Sequence, residues 1–231
     1  MIQSTFFRWN RLAAILAALF MIGLQTGFIY AEPITRDEVI KIAKSYAECR
    51  WEAKDGNVLH GNDKSGVNVD TPNGDREGLW KPGANVGVPY KWGGFDSLKS
   101  FEDGVKSGRA AGDLYSAAKR RAGDKAVSGQ AVGIDCSGFI SRCWKLSQKH
   151  GTSTLSRVSE KLSSASKLKA GDIMNTSGGH VILFAKWLDE AKTRALFYEA
   201  EPFSKVIASE YEVASLVSSG FKPLRYREIK D

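Results

Sequence analysis

Apolar residues at helical spacing define the first predicted element. In ITRDEVIKIAKSYAECRWEA, residues 34–53, Thr35 and Glu38 form the signature of a capping box, which marks a helix start. Four apolar residues then recur at positions i, i+3, i+4 and i+7, namely Val39, Ile42, Ala43 and Tyr46. The pattern predicts an amphipathic helix over this segment.

The middle of the chain alternates between segments without a period and segments of helical character. Residues 55–88 are rich in Gly, Asn, Asp and Pro and hold no period, so we predict a long loop region there. Residues 99–122 look helical and polar, although glycines interrupt them. GIDCSGFISRCWKLSQ, residues 133–148, predicts a further helix with five apolar residues on one side: Phe139, Ile140, Cys143, Trp144 and Leu146.

The last third of the chain carries the strand signals. An apolar segment from His180 to Trp187 follows a turn signal at residues 175–179 and predicts a strand. After a polar turn, ALFYEAE (residues 195–201) predicts the antiparallel partner of a hairpin, and GFKPLRYREI (residues 220–229) adds one more strand. Helices followed by antiparallel strands indicate the α+β fold class.

The N-terminal residues have the pattern of a targeting segment. Arg8 and Arg11 form a positive region, and the run from Leu12 to Leu24 is apolar and uncharged. A small residue then offers a cleavage point, so we predict a signal peptide over residues 1–31 and one domain over residues 32–231. An uncleaved N-terminal anchor is the alternative, because about twenty residues suffice to span a bilayer. Either interpretation predicts an exported protein of the periplasm, the cell envelope or the extracellular space.

The net charge of the chain limits the kinds of binding partner that we expect. The chain carries 33 basic and 26 acidic residues, a net charge of +7, which falls to +5 without the two arginines of the leader. The basic residues are scattered, and the cluster at residues 119–121 is typical of a solvated helix face, so we expect no nucleic-acid partner. A mild positive excess suits a protein that works beside an anionic polymer such as the cell wall, or beside a lipid surface.

The cysteine count is odd. Cys49, Cys136 and Cys143 leave at least one free thiol. Two cysteines seven positions apart on one helix are ~10 Å apart, too far for a Cys136–Cys143 disulfide. A Cys49–Cys143 bridge stays open, beside the interpretation that both side chains are small buried apolar groups.

Cys136 occupies a position that favours a thiolate. Asp135 is a good N-cap residue, so Cys136 would be the first helical residue, where unpaired N–H groups and the helix dipole stabilise negative charge. The same N–H groups could stabilise an oxyanion. Gly138, just inside the helix, costs about 1 kcal/mol relative to alanine, which indicates a close backbone approach. These features make Cys136 a candidate nucleophile.

A histidine that acts as the general base must be one of the three in the chain. His60 and His150 fall in polar segments and look like surface residues, whereas His180 opens an apolar strand directly after a Gly-Gly pair. His180 is therefore the candidate base. Glu199 and Glu201 share one face of the predicted partner strand, and either could orient the imidazole.

Four motifs occur in a fixed order: PYKWGG at residues 89–94, DCSGF at 135–139, LKAGDI at 168–173 and Gly-His-Val at 179–181. Together they resemble the NlpC-like cysteine peptidases, which cut bacterial cell-wall peptides. The resemblance covers roughly residues 86–202. It implies a papain-like fold, in which the helix with the cysteine packs on an antiparallel sheet that carries the histidine. Tyr90 and Cys136 are 46 positions apart, further than is usual in this family, which implies a helical insertion near residues 99–130.

The resemblance also implies roles for individual residues. Cys136 is the nucleophile, and His180 is the general base and then the general acid. Glu199 is the third member of the triad, since YEA matches a polar residue followed by a small one, although histidine is more usual than glutamate there. Tyr90 assists the oxyanion or positions the substrate.

Three more residues are candidates for substrate binding. Asp135 and Ser137 flank the cleft by resemblance, and in relatives that cut short stem peptides they could meet a free amino group. Trp92 is the third candidate, with a place in the core as the alternative.

The predicted function is an exported thiol amidohydrolase or peptidase. By resemblance it cleaves peptidoglycan stem peptides, such as the bond from D-glutamate to a diamino acid, through a Cys-His-Glu triad. We expect no cofactor, no metal, and no stable membrane span unless the N-terminal segment is uncleaved. The alternatives are an acyltransferase or lipid-directed thiol hydrolase on the same fold, and a non-catalytic wall-binding protein.

Overall fold

A six-stranded antiparallel sheet organises the fold in the computed structural model, which describes residues 33–231. These residues lie within one compact unit, Ala31–Asp231. The predicted leader at residues 1–31 lies outside the described residues.

Five helices are present in the described part of the chain: α1 (Arg36–Ala47), α2 (Leu98–Lys106), α3 (Ala117–Ala122), α4 (Cys136–Cys143) and α5 (Val213–Ser218). The first seven strands are β1 (Ile34–Thr35), β2 (Arg50–Ala53), β3 (His60–Asn62), β4 (Asn68–Asp70), β5 (Gly83–Val86), β6 (Ala110–Ala111) and β7 (Ala131–Val132). The next seven are β8 (Ser159–Lys161), β9 (Ile173–Asn175), β10 (Val181–Trp187), β11 (Arg194–Ala200), β12 (Val206–Glu212), β13 (Lys222–Tyr226) and β14 (Ile229–Lys230).

The central sheet has the strand order β12-β11-β10-β9-β13-β8, and every neighbouring pair is antiparallel. The other strands form four two-stranded sheets: β1–β14, β2–β5, β3–β4 and β6–β7. The predicted α+β fold class is therefore confirmed. The predicted hairpin is also present as β10 and β11, and the predicted C-terminal strand as β13.

The first helix has the predicted cap. The Thr35 side chain accepts from the Glu38 N–H, and the Glu38 carboxylate accepts from the Thr35 N–H, which completes the capping box. Val39, Ala43 and Tyr46 are the buried face. The helix ends at Ala47, and the last residues of the predicted helical segment form strand β2 instead, so the prediction was too long there.

The prediction of an unstructured loop over residues 55–88 was wrong in part, because this stretch contains β3, β4 and β5. These strands are three or four residues long, too short for an alternating pattern to stand out. β5 pairs with β2, and β3 pairs with β4. Two tryptophans anchor the region to the core: Trp51 and Trp80 meet edge to face at 5.6 Å between ring centroids, and both are buried.

The central sheet has a core on each face. On one face α4 packs against β10 and β11, with Val181 and Leu183 in the same cluster as Phe139 and Ile140. On the other face Ile182 and Phe184 join a cluster that includes Leu216 of α5. Alternate side chains of β10 therefore point into two different cores. Helix α4 and strand β10 are thus held together across the first of these cores.

Residues 98–132 contain two helices and two short strands, so the predicted helical stretch from 99 to 122, interrupted by glycines, is divided into α2 and α3 with β6 between them. β6 pairs in parallel with β7, which closes the segment on itself. A buried ion pair joins Lys119 of α3 to Asp113, and Asp113 also accepts from the Asp70 N–H at 2.9 Å. The segment is thus fixed to the strand region that precedes it.

All three cysteines are free and buried, so the structure contains no Cys49–Cys143 disulfide. Burial raises the pKa of Cys49 to about 11, and burial also raises the pKa of Cys143. No helix among residues 33–231 has the length and apolar character needed to cross a bilayer.

Candidate active site

Cys136 is the first residue of α4. Asp135 has extended backbone angles and caps the helix: its Oδ1 atom accepts from the Gly138 N–H at 2.6 Å and from the Ser137 hydroxyl at 2.9 Å. Cys136 is 8% exposed, with the first N–H groups of the helix beside it. The sulfur therefore lies where the unpaired N–H groups and the helix dipole favour negative charge.

The PYKWGG segment runs beside the start of α4. Tyr90 forms a parallel bridge with Ile134, and the Asp135 N–H donates to the Gly94 carbonyl oxygen at 3.2 Å. A Cβ added to Gly138 would lie 2.1 Å from the same Gly94 oxygen. This contact is the close backbone approach that the glycine indicated. It also explains how two motifs far apart in the sequence meet.

His180 precedes β10 at the end of a tight turn. The His180 N–H donates to Thr176 Oγ1 at 2.8 Å, and the Thr176 N–H donates back to the His180 carbonyl oxygen at 2.9 Å. Nε2 of the ring lies 2.7 Å from Glu199 Oε2. Nδ1, the other ring nitrogen, is buried and has no hydrogen-bond partner among the described residues.

Of the two glutamates on β11 and its turn, Glu199 contacts the histidine. Glu199 is 2% exposed, and its second oxygen accepts from the Tyr211 hydroxyl at 2.7 Å. Burial opposes ionisation, but the bonds from His180 and Tyr211 outweigh it and lower the pKa of Glu199. Glu201 instead accepts from the Phe203 N–H at 3.0 Å, within the turn that joins β11 to β12.

The electrostatics couple Cys136, His180 and Glu199. Burial of the ring lowers the pKa of His180, but the nearby Cys136 and the hydrogen bond and charge of Glu199 outweigh burial and raise that pKa to about 10. Since Nδ1 lacks a well-formed hydrogen bond, Cys136 acts on the ring chiefly by proximity and charge. Burial raises the pKa of Tyr90 far above its usual range, and the nearby Cys136 and Asp135 raise it further. The arrangement thus brings together Cys136 and an imidazole with a raised pKa, and a neighbouring imidazolium is one of the features that activate a cysteine nucleophile.

The other predicted site residues have different surroundings. The Ser137 hydroxyl is engaged with Asp135. Trp92 is half-buried: its indole N–H donates to the Gly123 carbonyl oxygen at 3.3 Å, and its ring packs on Tyr115 at 5.7 Å. Trp92 thus packs against the segment between α2 and β7.

The same segment reaches the turn that carries the histidine. Arg120 of α3 donates to the Gly178 carbonyl oxygen at 2.7 Å, two residues before His180. The Tyr115 N–H donates to the Pro202 carbonyl oxygen at 3.2 Å, in the turn after Glu199. This segment therefore borders both strands that supply polar residues to the site.

Two residues of the site were missed by sequence reasoning. Lys149 forms an ion pair with Asp135 and carries no motif that would have singled it out. Tyr211 shares a sheet face with Glu199, and the register of the β11–β12 pair could have identified it. A cavity of about 330 Å³ also borders His180, with largely apolar walls that include Ile182, Leu216 and Phe221.

No protein-family model matches the chain, and no curated protein or solved structure is significantly similar to it. Among residues 33–231 there is no group of three His, Cys, Asp or Glu side chains placed to hold a metal ion.

Proposed function

We propose that the protein is a thiol hydrolase that cleaves amide bonds, with Cys136 as nucleophile, His180 as acid and base, and Glu199 as the residue that orients the imidazole. The observation that carries the proposal is the 2.7 Å bond between His180 and a buried glutamate, beside a cysteine at a helix start. The packing of α4 on β10 and β11 is consistent with a papain-like arrangement, and the four motifs that resemble NlpC-like peptidases support it.

The reaction follows from these positions. The thiolate of Cys136 adds to the carbonyl carbon of an amide, and N–H groups at the start of α4 stabilise the oxyanion, with Tyr90 beside them. The His180 imidazolium donates the Nδ1 proton to the departing amine as the carbon–nitrogen bond breaks. Water then adds to the thioester and gives a proton to His180, and the release of the acid restores the thiolate.

Glu199 keeps the ring in one orientation during both steps. Its carboxylate binds Nε2, so Nδ1 is the nitrogen left to exchange protons with substrate and water. Tyr211 holds the second oxygen of the carboxylate and so fixes its plane. An imidazolium that is retained to high pH also keeps the thiolate paired before substrate arrives.

The proposed substrate is a peptidoglycan stem peptide, and the proposed location is outside the cytoplasmic membrane. The motif resemblance and the N-terminal targeting pattern at residues 1–31 support both proposals. The mild positive charge of the chain is compatible with an anionic wall.

The test is mass spectrometry of the products from purified peptidoglycan, with wild type, Cys136→Ala and Cys49→Ala as a matched control. We expect new stem-peptide fragments from wild type and the control, and none from Cys136→Ala. Free acid plus amine indicates a hydrolase, whereas a conjugate with an added acceptor indicates an acyltransferase. If Cys136→Ala releases the same fragments as wild type, the assignment of the nucleophile is wrong.

A further inference from the structure

The carboxylate next to the proposed nucleophile is already paired with a cation. Asp135 Oδ1 takes two hydrogen bonds within α4, and Oδ2 pairs with the Lys149 ammonium. The Asp135 side chain is 9% exposed and the Lys149 side chain 25% exposed. Within the structure, then, the charge of Asp135 is offset before any substrate arrives.

Lys149 is held in place by its neighbours in the chain. The His150 N–H donates to the hydroxyl of Ser141, a fully buried residue of α4, at 3.0 Å. Two residues further on, the Thr152 carbonyl oxygen accepts from the Asn175 side chain at 3.0 Å, which ties the same segment to β9. Lys149 thus belongs to a segment bound to α4 and to β9, the strand that pairs with β10.

The ammonium of Lys149 has capacity for another acceptor. An ammonium has three N–H donors, and Asp135 is the carboxylate that pairs with Lys149 among the described residues. A quarter of the Lys149 side chain is exposed, so the residue is not sealed in the interior. Lys91, beside Tyr90, is close enough to sense the Lys149 charge: burial lowers the pKa of Lys91, Asp96 and Asp113 oppose this, and Lys149 lowers it further.

The histidine side of the site carries a second ion pair and one further carboxylate. His180 pairs with Glu199 on the neighbouring strand, and Glu201 directly follows that strand. The helix-start side holds the Asp135–Lys149 pair instead. A substrate carboxylate would therefore be favoured beside Lys149 and disfavoured beside Glu201.

We infer that Lys149 is a specificity-determining residue, which binds a carboxylate of the substrate beside Cys136. The inference rests on the proposed function, because it concerns the substrate of the same cleft. The inferred substrate carries an anionic group on the acyl side of the scissile amide. Asp135 then positions Lys149 in addition to capping α4.

The test compares two alkylating reagents on the full-length protein. Iodoacetate carries a carboxylate and iodoacetamide a neutral amide, and both react with the thiolate of Cys136. The ratio of their rates is therefore independent of the thiolate fraction and reports the charge near the sulfur. Peptide mass mapping separates the label on Cys136 from label on Cys49 and Cys143.

We expect Lys149→Met to lower the iodoacetate-to-iodoacetamide ratio about fivefold, because one favourable ion pair is lost. Lys149→Arg should keep the ratio. Asp135→Asn, which retains a capping side chain, should raise it, because the lysine charge is then no longer offset. The matched control is Lys145→Met, which removes a surface lysine paired with Glu38 and should leave the ratio unchanged.

The outcomes separate this inference from the proposed function. If Cys136 is labelled rapidly and Lys149→Met keeps the wild-type ratio within about twofold, the role of Lys149 is refuted while the nucleophile stands. If Cys136 reacts with neither reagent at pH 9, the nucleophile is refuted, and the role of Lys149 with it.

Discussion

Replacement of Glu199 by glutamine tests the electrostatic core of the site. Glutamine has nearly the same shape, and its carbonyl oxygen can still accept from Nε2 of His180. Its amide can donate to the Tyr211 oxygen, which now donates to Glu199 at 2.7 Å. The substitution therefore removes the negative charge and leaves the hydrogen-bonded arrangement in place.

The size of the effect follows from the contact. An opposite charge within hydrogen-bonding distance shifts a pKa by about 1 to 3. The pKa of His180 is raised to about 10, and the 2.7 Å contact between its Nε2 and the Glu199 carboxylate is one of the two interactions that raise it. We therefore expect that pKa to fall by about 1 to 3 in Glu199→Gln. The imidazolium then loses about 1.4 to 4 kcal/mol of stabilisation relative to the neutral ring.

Two assays follow this change. NMR titration of the imidazole gives the pKa of His180 directly, and the rate of iodoacetamide labelling from pH 5 to 10 follows the paired thiolate. With the pKa of His180 lowered from about 10 to about 7 to 9, the imidazolium is still at least half populated at pH 7. We therefore expect labelling of Cys136 to change by about twofold at most at pH 7, and the labelling profile to differ from that of wild type mainly between pH 7 and 10. Glu201→Gln is the control, because that side chain bonds to its own turn. An unchanged titration and labelling profile in Glu199→Gln would refute the reasoning.

Three further predictions concern stability. Gly138→Ala should destabilise the protein by about 2 kcal/mol or more in urea unfolding, because the new Cβ would lie 2.1 Å from the Gly94 oxygen. Lys119→Met should cost about 3 to 5 kcal/mol in the same assay, because it leaves the carboxylate of Asp113 buried without its cation. The contribution of His180 to stability, measured as wild type minus His180→Asn, should be complete below about pH 6.5 and decline as the pH rises to about 10, because its pKa is raised on folding.

The first two of these predictions have matched controls. Gly151→Ala adds a Cβ where no atom lies within 4 Å, so it should be nearly neutral. Lys125→Met removes an exposed lysine from the segment that follows α3 and should change stability by less than about 0.5 kcal/mol. A flat pH dependence for the His180 difference would contradict the raised pKa.

Much of the framework could be predicted from local patterns. The capping box at Thr35 and the β10–β11 hairpin are local features, in which the residues that form the element are also its signal. The start of α4 at Cys136 was predicted in the same way, from the capping type of Asp135. His180 was also predicted correctly to lie where a turn meets a strand, because a Gly-Gly pair precedes it and an apolar run follows it.

The missing parts depend on contacts between distant segments. β2 pairs with β5 across more than thirty residues, and four-residue strands show too little alternation to be recognised. Lys149 approaches Asp135 because its segment is tied to Ser141 and Asn175, which no local pattern reveals. Chemical reasoning alone could not choose between Glu199 and Glu201, because both share one face of the predicted strand. That choice also required the structure.

The free thiols of Cys49, Cys136 and Cys143 have a practical consequence. With all three sulfurs reduced, no covalent cross-link joins the described segments, so a reductant breaks no bond that the fold needs. Millimolar dithiothreitol can then protect Cys136 from oxidation to the sulfenic acid without loosening the structure. The protein can therefore be purified, stored and assayed under strongly reducing conditions.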